Sequence, residues 1–156
     1  MKIVQLKQKQ LSQIEDLEME LWRFESRFNK NFKVNKNSGR HLIKWLKNIT
    51  KHSKWVCFVA KDNRQIVGFV TGWIYKKQRT LYKHWKVGYG CDLYVRPAFR
   101  GKGLGRHLMK KMINWFGQQG ARYVEIDIYQ KNKKSFTLNH SLGFKDHATR
   151  LVLRLK

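Results

Sequence analysis

The chain has 156 residues, 42% of them hydrophobic, with 34 Lys+Arg against 10 Asp+Glu and a formal net charge of +24. That length suits one domain, read as 1–156, with a core that needs neither disulfides nor a structural metal. Cys57 and Cys91 stand apart in no metal or redox spacing, no leader-like stretch opens the chain, and no apolar run nears the ~18 residues of a membrane span, so a reduced, cytoplasmic protein is expected.

Met1 to Leu6 alternates weakly and reads as a first strand. Over 8–25, Leu11, Ile14, Leu17, Leu21 and Trp22 recur at helical spacing. Ser12 is the expected N-cap there, with Glu15 three residues on as in a capping box. A polar loop over 27–38 carries Phe28 and Phe32, and a second helix opens at Ser38 or Gly39 with Leu42, Trp45, Leu46 and Ile49 on one face. Trp55 to Ala60 is a short apolar strand; Asp62-Asn63-Arg64 turns it into its hairpin partner, Gln65 to Tyr75.

A basic connector, 76–86, leads to a strand over Val87 to Val95. Gly103 to Phe116 reads as a helix with Leu104, Leu108, Met112 and Trp115 on one face. Ala121 to Tyr129 alternates as a strand, Asn132 to Ser141 is a short helix with Gly143 suited to its C′ position, and Phe144 to Leu155 reads as a closing strand. Most aromatic rings fall at apolar periodicities, which makes them core residues rather than a platform for stacking bases.

Between a strand and a helix lies Val95-Arg96-Pro97-Ala98-Phe99-Arg100-Gly101-Lys102-Gly103-Leu104-Gly105. Glycines at 101, 103 and 105 let the backbone approach a ligand closely. The helix that follows presents unpaired N–H groups and the positive end of its dipole to the same loop, which makes it an anion cradle. Arg100 and Arg106 add charge at either end.

This segment resembles the phosphate-binding motif of the GNAT N-acetyltransferase superfamily, through Arg100, Gly103 and Gly105. A second resemblance runs from Asn132 through Ser135 to Leu142-Gly143-Phe144, with Asn139 where the family usually has Tyr. The resemblance implies an α/β fold, a mixed central sheet of about six strands with helices on both faces, and acetyl-CoA as co-substrate with no metal. It implies CoA contacts from the backbone of Leu93, Tyr94 and Val95, from Arg100, Gly101, Lys102, Gly103, Leu104, Gly105 and Arg106, and from Asn132 and Ser135.

Transfer to an amine also needs a base. The strand Cys91-Asp92-Leu93-Tyr94-Val95 resembles a Glu-Asp-Leu-Tyr-Val stretch of polyamine-type members, with Cys91 in place of the Glu. Asp92 remains as the candidate; on a regular strand it points away from Cys91, unless a bulge intervenes. Asn139 cannot protonate the leaving sulfur as a Tyr would, so it reads as a vacated acid site. Asp92, Glu125 and Asp127 are candidates for an acidic acceptor pocket, with Glu25 lining the acceptor side.

Two other readings stay open at this level. One is a non-catalytic acyl-CoA binder of the same fold, which accounts for Cys91 and Asn139. The other is a basic nucleic-acid- or ribosome-associated module, because a charge of +24 attracts acidic partners; a solvated lysine-rich surface explains the same charge without a partner. The amine acceptor, a protein terminus, a lysine or a small molecule, is undetermined, and a homodimer is one open arrangement.

Overall fold

A computed structural model describes residues 1–29, 32–35, 37–49, 51, 54–77 and 85–153. The elements run β1 (Lys2–Gln5), a 3-10 segment (Gln8–Ile14), α1 (Glu15–Glu25), α2 (Ser38–Ile49), β2 (Trp55–Asp62), β3 (Gln65–Lys77), β4 (Trp85–Val95), α3 (Leu104–Gln118), β5 (Tyr123–Ile126) and α4 (Lys133–His140). The strands form one sheet in the order β1-β2-β3-β4-β5. The first four are antiparallel neighbours. β5 is parallel to β4, which requires a crossover, and α3 supplies it.

Period-two alternation sends successive residues of β2 into two different cores. Cys57 and Val59 pack with Phe69, Tyr94 and the apolar residues of α1 and α2 (Leu17, Leu21, Leu42, Leu46). Val56, Phe58 and Ala60 pack on the other face with Val67, Val70 and the α3 residues Leu104, Leu108, Met109, Met112 and Phe116. Helices therefore cover both faces, as expected. Phe116 takes its place because Gly88 has no side chain: a Cβ there would lie 2.4 Å from Phe116 Cγ.

The structure corrects the sequence reading in four places. Helix 8–25 is divided: Gln8–Ile14 is 3-10 and the α-helix begins at Glu15. Ser12 is not the cap; Gln10 Oε1 accepts from the Lys7 N–H at 3.2 Å, one turn before. The alternation over 121–129 pairs only as far as Ile126. The closing strand is not formed over 144–153, where Leu151, Val152 and Leu153 are more than four-fifths exposed, so the described sheet has five strands rather than about six. Most of the basic connector, 78–84, lies outside the described residues.

Candidate active site

The site begins with one extra residue in β4. Val70 pairs with Leu93, but Gly72 pairs with Gly90, so Thr71 faces both Cys91 and Asp92. This is a β-bulge. It brings Cys91 and Asp92 to the same side of the strand, where regular alternation would have separated them. A bulge leaves a main-chain N–H without its ladder partner, and Thr71 supplies one. Its fully buried hydroxyl accepts from the Asp92 N–H at 3.2 Å and donates to Asp92 Oδ2 at 3.1 Å.

β4 also outruns its parallel neighbour. The β4–β5 ladder ends at Gly90↔Ile126, while β4 continues to Val95. The wedge between them is a cavity of ≈ 360 Å³, lined by the 90–95 and 126–129 segments, the glycine turn, α4 and one side of α1. The side chain of Tyr94 is engaged by α1, donating its hydroxyl to Glu20 Oε2 at 3.0 Å, while Leu93 and Val95 pack with the α3-side core.

The glycine turn closes one end. Gly101 and Gly103 have φ of +78° and +75°, a left-handed conformation that costs any other residue roughly 1–2 kcal/mol. Gly103 is the N-cap of α3 and no side chain caps the helix, so the N–H groups of Leu104, Gly105 and Arg106 lack intrahelical acceptors. The arginines brace the turn rather than reach freely into it. Arg100 Nε donates to the Val95 carbonyl at 2.7 Å, and its guanidinium lies over the rings of Phe24 and Tyr94 at 5.5 and 5.2 Å. Arg106 donates to the Ser141 Oγ and carbonyl, at 2.6 and 3.0 Å, tying α3 to the end of α4.

α4 forms the opposite wall. Asn132 caps it, its Oδ1 accepting from the Ser135 N–H at 3.2 Å. Asn139 is 3% exposed; its Nδ2 donates to the Ser135 carbonyl at 2.9 Å, and its Oδ1 is buried with no hydrogen-bond partner among the described residues. The position therefore holds an amide tied to its own helix, with no hydroxyl to donate.

Acids gather on the side of α1. Glu25 and Asp92 line the cavity. Glu18, two helical turns before Glu25 and fully buried, stands behind them with both carboxylate oxygens unpartnered. Burial, then the charge of Asp92, pushes Glu25 up to about 7. Burial raises Asp92 against its bonds from Cys91 and Thr71. Glu18 is raised well above the usual range by burial and by the charges of Asp92 and Glu25. The Cys91 thiol is pushed up by burial and by Asp92, so it stays protonated and is no nucleophile.

Of the residues singled out from sequence, the cavity brings together Glu25, Asp92, Leu93, Tyr94, Val95, Arg100, Gly101, Gly103, Leu104, Gly105, Arg106, Asp127, Asn132, Ser135 and Asn139. Lys102 is exposed on the turn and outside the lining. Glu125 is also outside it, receiving the Tyr75 hydroxyl at 2.6 Å. Asp127 is engaged by the Tyr89 hydroxyl at 2.8 Å and by Arg150 at 3.6 Å. Sequence reasoning missed Thr71 and Glu18. The first carried no signal; the second shares a helix face with Glu25 at seven-residue spacing, which by itself reads as a solvated side of that helix.

A mixed sheet splayed beside a glycine turn and an uncapped helix N-terminus provides an anion site next to an unpaired strand edge. The model of the acetyltransferase (GNAT) family matches residues 12–144, and the chain belongs to that family. It is 37% identical over 93 residues, 60% of the chain and 48% of the relative, to the L-2,4-diaminobutyric acid acetyltransferase of Shouchella clausii. It is 30% identical over 122 residues, 76% of the chain and 50% of the relative, to an uncharacterized N-acetyltransferase of Methanocaldococcus jannaschii. The chain thus spans about half the length of these curated relatives.

Among solved structures, a Bacillus halodurans protein determined as a tetramutant superposes with a TM-score of 0.85 at 19% identity, over 99% of this chain and 100% of that one. The aminoglycoside acetyltransferase AAC(6')-Iy, in complex with a CoA bisubstrate analog, superposes at 0.78 and 19% identity over 99% and 97%. At such identities the likeness is one of fold.

Proposed function

We propose that this chain is a single GNAT-type domain, 1–156, that transfers the acetyl group of acetyl-CoA to a primary amine. The observation that carries the reading is one cavity with two unlike ends: a glycine turn with free N–H groups at one, and a carboxylate on a strand bulge at the other. The relatives named as diaminobutyric acid and methionine sulfoximine acetyltransferases and the fold neighbours solved with CoA support it.

The site's own features fit the co-substrate. A Cβ on Gly101 would meet nothing within 4 Å, so the turn opens onto free space. The Leu104, Gly105 and Arg106 N–H groups and the α3 dipole hold a pyrophosphate there. Lys134, in the lining, and Lys102 add charge. The free edge of β4 at Leu93–Val95 accepts an extended arm as it would another strand.

Acetyl-CoA supplies the activated carbonyl, on which the C–N bond forms as the C–S bond breaks. Asp92 removes a proton from the incoming ammonium so that the nitrogen attacks as a free amine; burial raises its affinity for protons, the direction a base needs. A main-chain N–H of β4 faces the carbonyl oxygen as negative charge grows on it. No acid stands at Asn139, so the departing sulfur takes its proton from water.

The amine class rests on these features. A nucleic-acid or acidic partner rests on the net charge alone. Among the described residues no helix is long and apolar enough to cross a membrane. Thiol release from acetyl-CoA, followed against a panel of amines, tests the activity. Gly103→Glu, which places a side chain and a negative charge in the cradle, is expected to lose CoA binding by calorimetry while keeping its circular dichroism. Tight CoA binding with no turnover on any amine would replace this reading with the non-catalytic binder.

A further inference from the structure

From Lys145 to Leu153 every residue is exposed, and none of their main-chain groups bonds to another described residue. The near end of this segment is tethered: Phe144 packs in the α3-side core, and Asp146 pairs with His140 at 2.8 Å. The far end is apolar and free. Leu151, Val152 and Leu153 are 89%, 81% and 84% exposed. Apart from Met1, the large hydrophobic residues exposed among the described ones are these three with Tyr123 and Tyr129, on and just beyond β5.

β5 is the matching half. Among the described residues it ends the sheet, with β4 on one side and no strand on the other. Such an open edge is a template for a further strand. One contact marks the register: Arg150 reaches Asp127 at 3.6 Å. Run antiparallel from that pair, the segment sets Leu151 beside Ile126 and Leu153 beside Val124. Val124 and Ile126 already pack in the α3-side core, so both leucines extend it. Run parallel, Thr149 and His147 would take those places and leave the leucines in water. Charge agrees with the antiparallel arrangement, because β5 and its extension carry Glu125 and Asp127, two of the chain's 10 acids, opposite a segment that brings Arg150.

Within one copy the contact stops at that side-chain pair, in which Arg150 is 81% exposed. Each copy thus holds a strand without an edge and an edge without a strand. We infer that a second copy of this chain supplies both: the 145–153 segments are exchanged about a twofold axis, each pairing antiparallel with the partner's β5. One symmetric contact meets both needs and closes at two chains. An unlike partner would have to bring both a strand and an edge. The five exposed apolar side chains of each copy contribute on the order of 100 Å² apiece, so the pair reaches roughly the 1,000 Å² that a specific interface needs. The exchange also completes the cavity. Asp127 lines it, and the partner's Arg150 stands beside that carboxylate in the wall. None of this depends on the acetyl-transfer reading.

Sedimentation equilibrium tests the inference on the 156-residue chain, up to about 200 µM. Salt of about 1 M, where the Debye length is about 3 Å, screens the repulsion between two copies of charge +24. A species of twice 18.8 kDa is expected. Leu151→Asp combined with Leu153→Asp should weaken association at least about tenfold and leave the circular dichroism unchanged. A disulfide then locates the contact. Asp127→Cys in one chain and Arg150→Cys in another, carrying tags of different mass, should be joined on mild oxidation; the unsubstituted chain, with Cys57 and Cys91, is the control. A monomer throughout the range overturns the inference, whether the segment stays free or an unlike protein takes it. So does a dimer that survives the paired aspartates. So does a chain carrying both cysteines that closes its disulfide only within one copy, which would make the segment an edge strand of its own sheet.

Discussion

Thr71 is not part of the cavity lining, yet it holds the carboxylate proposed as the base. Its hydroxyl serves both the orphaned N–H and the carboxylate of Asp92. Valine has the same shape and neither bond. Thr71→Val is therefore expected to cost about 1–3 kcal/mol of stability, from the buried N–H left unpaired. It should also lower kcat about tenfold, equivalent to ~1.4 kcal/mol, with little change in the KM for acetyl-CoA. Thr71→Ser, which keeps the hydroxyl, should restore most of kcat; a serine variant as slow as the valine one would show that Thr71 matters only for packing.

At this scale the sequence was legible where a residue acts by its own chemistry and illegible where it acts by register. Glu25 and Asp92 are visible as acids near the right elements. That Asp92 shares a side with Cys91 depends on the extra residue opposite Thr71, and no propensity marks a bulge of this kind. Glu18 was hidden for the opposite reason. A glutamate on an amphipathic helix reads as its wet face, whereas here it is wholly buried. Glu125 and Asp127 were readable as acids, but their engagement by Tyr75 and Tyr89 depends on contacts across strands.

Among the elements, α3 shows how closely helix and sheet must fit for the cradle to be placed. Phe116 packs directly over Gly88, and a Cβ on Gly72 would lie 2.7 Å from Phe116 Cζ. Gly88→Ala is expected to destabilise by about 1–3 kcal/mol through overpacking, lowering Tm by roughly 2–4 °C for each of them. Gly117→Ala is the counterpart on the same helix: nothing lies within 4 Å of its added Cβ, so alanine should gain ~0.5–1 kcal/mol of helix propensity. Urea midpoints of both variants check the pair, and a stabilised Gly88→Ala would show that α3 floats on the sheet rather than docking through that contact.

The glycine turn and α3 were readable because their signals are local: positive φ, a proline, an uncapped N-terminus. The start of α1 and the last segment were not. Ser12 satisfies a capping pattern, but the chain prefers a 3-10 turn that buries Leu11 and Ile14. The alternation of 144–155 suits a strand, but strand formation needs a paired edge, and over 144–153 none is engaged.

For the whole molecule, the charge of +24 sets the two proposed ligands in opposition. The long-range field draws in the polyanionic co-substrate and repels a cationic amine, while the acids on α1 and β4 attract that amine only at short range. Salt separates the two ranges. The Debye length falls from about 30 Å at 0.01 M to about 10 Å at 0.1 M, which removes most of the field over the surface but screens a half-buried pocket much less. Raising salt over that interval should therefore weaken acetyl-CoA binding, measured by calorimetry. It should raise kcat/KM for a cationic amine acceptor at saturating acetyl-CoA, because the repulsion opposing encounter fades before the local attraction does. Opposite slopes are the expected result. Parallel decreases would mean that the acidic pocket, not the surface, governs how the amine arrives, and the basic surface would then have no part in choosing the acceptor.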